Sequence, residues 1–332
     1  MRAMVLNRTG DVSDNRLKLR ERAVPKPEAD QVLVKIHVCG VCRTDLHVVE
    51  GELPDITLPL IPGHQAVGTV IQIGRDVQDV REGDRVGLAW LQGTCNRCEF
   101  CTSGRENLCE TARFTGYQVD GGYAEYAVLP GRFAYPIPPV FSNEDAAPLL
   151  CAGIIGYRAL RLSGIKPGQR LGLYGFGASA HIAIQIARHW GCQVYVSSLK
   201  TEHQELARQL GAVWIGGATE MPPDKLHGSI IFAPAGELVP PALRALERGG
   251  TLALAGIHMS PIPSLNYDRE VFGERVIRSV TANTRQDGLD LLCEAAAIPI
   301  KPHSVSFPLE EANRALQELK AGRFQGAAVL TM

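Results

Sequence analysis

Four cysteines gathered in one short stretch constrain this chain more than any other feature. Cys95, Cys98, Cys101 and Cys109 give the spacing C-x2-C-x2-C-x7-C. The residues between them are mostly polar and turn-forming, so these thiols do not read as core filler. Four thiolates close a tetrahedral shell around zinc with no position left open, which makes such a site structural. The lobe around it, about residues 91–112, is too polar for a core of its own, and metal binding then supplies folding energy. An iron–sulfur cluster is the competing metal reading of the spacing.

A second donor set is scattered. Gly40-Val41-Cys42-Arg43-Thr44-Asp45-Leu46-His47 packs a soft ligand, a guanidinium, a hydroxyl, a carboxylate and an imidazole into consecutive positions. His64 follows in Pro62-Gly63-His64-Gln65, and Cys151 in Leu149-Leu150-Cys151-Ala152. Two thiols and an imidazole are three protein ligands for a tetrahedral zinc with one open position, the mark of a catalytic site. The bland alternative for the first pair is a buried thiol and a satisfied core histidine. Cys39, Cys192 and Cys293 have no evident partners and read as small buried residues.

The length of 332 residues allows roughly two domains. In the first half, short β-like runs such as 32–38, 68–73 and 85–89 are separated by Gly, Pro and Asp turns, which predicts a mostly β, barrel-like domain. From Leu171 onward, strands alternate with helical runs, the pattern of a doubly wound parallel α/β sheet. A net charge of -1 excludes a general attraction to nucleic acid or anionic lipid. No apolar run is long enough for a membrane span. The N-terminus has no secretory pattern, so a cytoplasmic location is expected, where thiols stay reduced.

Within the α/β half, the apolar run Leu171-Gly172-Leu173-Tyr174 leads into Gly175-Phe176-Gly177-Ala178-Ser179-Ala180 and then an apolar helix. Between a strand and a helix, G-x-G-x-x-G/A is a dinucleotide fingerprint. Gly175 makes the tight turn, Gly177 admits the pyrophosphate to the helix N-terminus, and Ala180 keeps helix and sheet close. The alternative is an ordinary strand–turn–helix with glycines for geometry only. The next strand, Gln193 to Ser197, should end in an acid if the cofactor is NAD(H). Ser197-Ser198-Leu199-Lys200 stands there instead. Small hydroxyls and a lysine suit a 2′-phosphate, so NADP(H) is favoured, NAD(H) remains open, and Lys200 as a solvated loop residue is the alternative.

Taken together, these motifs resemble the zinc-dependent, medium-chain alcohol dehydrogenases over the whole chain. The resemblance implies a GroES-like catalytic domain at 1–145 and 286–332 and a Rossmann domain at 146–285, with zinc and nicotinamide in the cleft between. It implies two zinc ions per chain, with Cys42, His64 and Cys151 holding the catalytic one. Thr44 would hydrogen-bond the alcohol oxygen, and His47 would end a proton relay. Arg43 would reach the cofactor pyrophosphate, and Asp45 would orient His64. Trp90 resembles the aromatic wall of the substrate pocket. The substrate implied is a small-molecule alcohol or its aldehyde or ketone, and the assembly a homodimer or homotetramer.

Two departures from the family stand out. Gln65 occupies the place where the family usually has Glu after the ligand histidine, and Ala327 a place where many relatives have a phosphate-binding arginine. Two rival functions remain at this point. One is a same-fold reductase of activated C=C bonds, whose members generally lack the catalytic zinc ligands. The other is a non-catalytic nucleotide- or zinc-binding relative.

Overall fold

The computed structural model describes residues 1–332 except 218, 299 and 325. The chain forms two compact units, one of Met1–Cys151, Ala282–Ala296 and Lys301–Met332, the other of Ala152–Thr281 and Ala297–Ile300. The first unit therefore keeps residues 146–151 and 282–285, four to six residues beyond the sequence-based boundaries on each side. The physical reason is packing. The helix Asn143–Pro148 lies against strands Gln31–Val41, Ala66–Ile73 and Ala327–Thr331, so the segment that leads to Cys151 stays with the β unit.

The first unit is built on a sheet ordered Ser304–Pro308, Ala327–Thr331, Gln31–Val41, Ala66–Ile73, Arg85–Leu88, Tyr135–Pro136, with Tyr126–Pro130 also pairing Gln31–Val41. Gln31–Val41 is its spine. It has antiparallel partners on each side and a nearly unbroken apolar sequence, as a strand buried on both faces requires. Val34, Ile36, Leu88 and Leu129 are among its buried core residues. Each aliphatic side chain so buried contributes about 1.5–3 kcal/mol. The N-terminal strands Arg2–Leu6 and Leu17–Glu21 form a separate antiparallel pair that sequence patterning did not resolve.

The second unit is a six-stranded parallel sheet. Its order is Trp214–Gly216, Gln193–Ser197, Arg170–Tyr174, Leu226–Ile231, Leu246–Leu254, Val276–Ser279. In chain order this is 3-2-1-4-5-6, the doubly wound arrangement whose reversal point follows the carboxyl end of the first strand. That strand is Arg170–Tyr174, and the Gly175 turn follows it directly. Among the described residues, no helix is long and apolar enough to cross a membrane.

All nine cysteines are thiols. Cys39 and Cys192 are buried as expected, but Cys293 is exposed on the helix Arg285–Ala297, so the reading of it as a core residue is corrected. That helix has a weak apolar stripe, and Cys293 falls on its outer side.

Gly63 shows how tightly the first unit is closed near its polar centre. It has φ +96°, and a Cβ there would stand 2.3 Å from Tyr123 Cδ1 and 2.9 Å from Cys39 Sγ. Gly63→Ala should therefore cost at least about 2 kcal/mol in urea unfolding. An unchanged midpoint would mean that the Tyr123 ring is not fixed.

Candidate metal and cofactor sites

Cys42 ends the spine strand and begins the helix Arg43–Glu50. Its thiol accepts from the Thr44 N–H at 3.3 Å, while the Asp45 carboxylate accepts from the Cys42 N–H at 2.9 Å. This is a capping box with Cys and Asp in the usual Ser/Thr and Glu places. The Cys42 thiol's position is thus set by the helix start itself. The second Asp45 oxygen meets His64 Nδ1 at 3.0 Å, and His64 Nε2 lies 3.2 Å from Cys42 Sγ. Asp45 fixes the imidazole's orientation and directs Nε2 toward the thiol.

The third donor arrives on a π-helical segment, Leu149–Gly153, between the helices Asn143–Pro148 and Ile154–Leu162. Widened turns of this kind recur at functional sites. Here the wider turn carries Cys151 to the other two, and one donor atom from each of Cys42, His64 and Cys151 lies within 4.8 Å of the others. A tetrahedral zinc with bonds of about 2.0–2.3 Å places its ligand atoms roughly 3.5–3.8 Å apart. The soft donors, the spacing and the single unfilled position all fit zinc.

The charges of this cluster are strongly coupled. Burial pushes the Cys42 thiol up, but a hydrogen bond with Cys151 and the neighbouring His64 bring it well below the usual thiol range. The same bond, with burial, pushes Cys151 well up. Burial alone would lower His64, yet Asp45 and Cys42 outweigh it and raise the imidazole. Burial raises Asp45 against the pull of His64.

Cys95, Cys98, Cys101 and Cys109 also converge within 4.8 Å of one another. Cys95 and Cys101 sulfurs are 3.9 Å apart, and those of Cys98 and Cys101 3.5 Å. Backbone N–H groups of Arg97 and Cys98 lower Cys95 to about 6, which favours the thiolate a metal needs. The lobe is anchored beyond its sulfurs. Buried Glu106 accepts three hydrogen bonds from the Arg285 guanidinium and one from its backbone N–H. Sequence reading missed this pair, since only the fold brings together residues so far apart in the chain.

Thr44 and His47 lie on the same short helix, and His47 Nδ1 pairs with Glu52. Arg43 is exposed at the first helical position. Gln65 is buried and lies over Gly40, where a Cβ would stand 3.0–3.1 Å from its Cβ, Cδ and Nε2. Trp90 meets the His64 ring edge-on at 5.1 Å and stacks on Phe114 and Tyr117 at 5.0 and 5.7 Å. The two stacking partners lie in the stretch after the fourth cysteine, where a run of aromatics in an otherwise polar loop was the available signal.

In the second unit, Gly175 has φ +85°, and a Cβ there would press on Ala233 at 2.9–3.0 Å. Gly177 is different, because a Cβ on it would meet nothing within 4 Å. Packing does not demand that glycine, and the open space beside its backbone leaves room for a phosphate to approach. Gly177 caps the helix Ala178–His189, whose residue Ala180 is buried, and the Phe176 ring is buried in the turn. This geometry fits a dinucleotide pyrophosphate. At the end of the next strand, Ser197 Oγ donates to the Gly217 carbonyl at 2.7 Å, while the Ser198 carbonyl accepts from Gln204. Lys200 precedes the helix Thr201–Gln209.

Comparison with known proteins agrees with this architecture. Residues 28–139 match the alcohol dehydrogenase GroES-like domain family, and residues 180–296 the zinc-binding dehydrogenase family. A probable alcohol dehydrogenase, AdhA, of Mycobacterium tuberculosis is 49% identical across 99% of this chain and 97% of its own. A cobalt- and zinc-bound thermostable alcohol dehydrogenase from Pyrobaculum aerophilum is 26% identical with a TM-score of 0.89, covering 100% of this chain and 99% of its own. A putative zinc-binding dehydrogenase from Sinorhizobium meliloti bound to NADP is 26% identical with a TM-score of 0.86, at the same coverage of 100% and 99%. The chain belongs to the zinc-dependent medium-chain alcohol dehydrogenase family. It is an oxidoreductase that interconverts alcohols and carbonyl compounds with a nicotinamide cofactor.

Asp45 carries a direct test. Asp45→Ala removes the acceptor for both His64 and the Cys42 N–H, and should weaken zinc binding by about ten- to a hundredfold in a chelator competition. Wild-type affinity in the variant would mean that Asp45 does not orient the ligand histidine.

Proposed function

We propose that this alcohol dehydrogenase holds two zinc ions per chain and prefers NADP(H), acting on a small-molecule alcohol and its aldehyde or ketone. The observation that carries the reading is the open three-donor set Cys42, His64 and Cys151 beside the closed set Cys95, Cys98, Cys101 and Cys109. Zinc at the open set would polarise the substrate oxygen, and the nicotinamide would exchange hydride with the carbinol carbon.

The chain's own residues do the rest. Asp45 orients His64. The Thr44 hydroxyl hydrogen-bonds the substrate oxygen and passes its proton toward His47, whose imidazole Glu52 holds in place. Trp90, backed by Phe114 and Tyr117, gives the substrate an apolar wall and keeps water away. Gly175, Phe176, Gly177, Ala178 and Ala180 form the turn that receives the cofactor's pyrophosphate. Gln65 preserves the shape of a glutamate beside the donor set without its charge.

The cofactor preference rests on the missing acid. Ser197 has committed its proton to Gly217, so contact with a 2′-phosphate falls to Ser198 and Lys200.

The assembly we infer is a homodimer or homotetramer. Val276–Ser279 closes one edge of the parallel sheet, and all four of its residues are exposed. Thiolate donor sets persist in a reducing compartment, which supports a cytoplasmic location.

Two experiments test the reading. Metal analysis should find about two zinc ions per wild-type chain. Cys42→Ser should lose one zinc and the activity while keeping its Tm, whereas Cys98→Ser should lose one zinc and melt earlier. Full activity in Cys42→Ser would sink the catalytic assignment. For the cofactor, Lys200→Ala should lower kcat/KM with NADP(H) about tenfold and leave NAD(H) nearly unchanged. A wild-type preference for NAD(H) would reverse the assignment.

A further inference from the structure

The parallel sheet has a second charged feature on the edge opposite the Gly175 turn. A surface cavity of about 400 Å³ is lined by Met221, Lys225, Arg244, Arg269 and Arg275. Four of its five lining residues are cationic, in a chain whose net charge is only -1. Composition therefore does not explain the concentration.

The topology makes it. Lys225 immediately precedes the strand Leu226–Ile231, and Arg244 lies in the last turn of the helix Val239–Ala245 that leads into Leu246–Leu254. Arg275 immediately precedes Val276–Ser279, and Arg269 lies in the π-helical turn Tyr267–Val271 before it. These strands run parallel, so their amino ends share one edge. The Gly175 turn follows a carboxyl end of the same sheet, so the two positively disposed sites are separated by the length of the strands.

The charge is mostly uncompensated. Glu270 pairs with Arg244. The Lys225 ammonium, however, donates to the Arg244 carbonyl, and the Arg275 guanidinium to the carbonyls of Leu246 and Phe272. Carbonyls orient these cations without cancelling them. Arg269 is exposed, and its side chain has no hydrogen-bond or ion-pair partner among the described residues. Three like charges gathered in this way repel one another, and an anion of matching charge removes that cost. Guanidinium forks favour phosphate oxygens in particular, because they can donate in pairs. The volume suits a small molecule of nucleotide size or less.

We propose that this cavity is a second ligand site, separate from the dinucleotide turn, for a small polyphosphate. Lys225, Arg269 and Arg275 bind its oxygens, and Glu270 restrains Arg244 at the back of the cavity. Arg275 also ties the strand entrance together, so the informative variants are Lys225→Gln and Arg269→Gln, which disturb little else.

The test is calorimetric titration of the intact enzyme with inorganic tripolyphosphate at low ionic strength, with sodium sulfate at equal ionic strength as the control. Saturable binding is expected. Arg269→Gln and Lys225→Gln should each weaken it about tenfold, and the double variant about a hundredfold. Cofactor titrations should be unchanged in all three variants. Absence of saturable binding in wild type would overturn the proposal, as would wild-type affinity in the double variant, which would place the tripolyphosphate at the dinucleotide turn.

Discussion

The Asp45 carboxylate, fully buried, is the interaction on which the candidate metal centre depends. A buried carboxylate is costly unless its oxygens are satisfied. Asp45 uses one oxygen on the Cys42 N–H and the other on His64 Nδ1. The first bond fixes where the helix Arg43–Glu50 begins, and with it the Cys42 thiol. The second fixes the imidazole. A single side chain thus registers a strand end, a helix start and a distant loop against one another. Around it, Tyr123 and Cys39 are fully buried and pushed up by burial and by the Asp45 charge, so neither competes as an anion.

The two donor sets show opposite uses of soft ligands. The three-donor set is held by a packed core, with Cys151 delivered by a helix that lies on the sheet. The four-cysteine lobe has no such support. Its short helix Glu99–Thr102 buries no residue. The Glu106–Arg285 pair, with hydrogen bonds from Arg132 to the Thr94 carbonyl and from Gln92 to the Val128 carbonyl, ties the lobe to the rest of the unit. Arg285 also lies over the Phe133 ring at 5.2 Å, so the tether reaches the barrel core as well as the lobe.

Much of the second unit was legible in the sequence because each strand is a short apolar run followed by a turn and an amphipathic helix. The strand Gln193–Ser197 matches its sequence-based limits to the residue. The π-helical turn at Cys151 was not legible, because one extra residue in a turn leaves no periodic trace. Cys293 was misjudged because cysteine's preference for the interior is weak where the helix stripe is weak. The Glu106–Arg285 pair and the basic cavity could not be read at all. Their members are separated by other elements in the chain, and only the strand order brings them together.

Gln65 and Gly40 show how charge and space are settled together. Two thiolates are enough to neutralise a dication, and the Asp45 charge already lies behind the histidine. A glutamate at position 65 would add a second buried carboxylate beside a group whose ionisation burial already opposes. Glutamine fills the same volume without that cost. Its side chain lies over residue 40, where a Cβ would crowd it at 3.0–3.1 Å. Gly40 lies within the spine strand, where glycine weakens β structure. The sheet therefore tolerates a poor strand former two residues before the ligand Cys42, so that a neutral side chain can sit close to the donor set. Gly40 thus makes room for a side chain of this shape at position 65, while the choice of an amide over a carboxylate follows from burial.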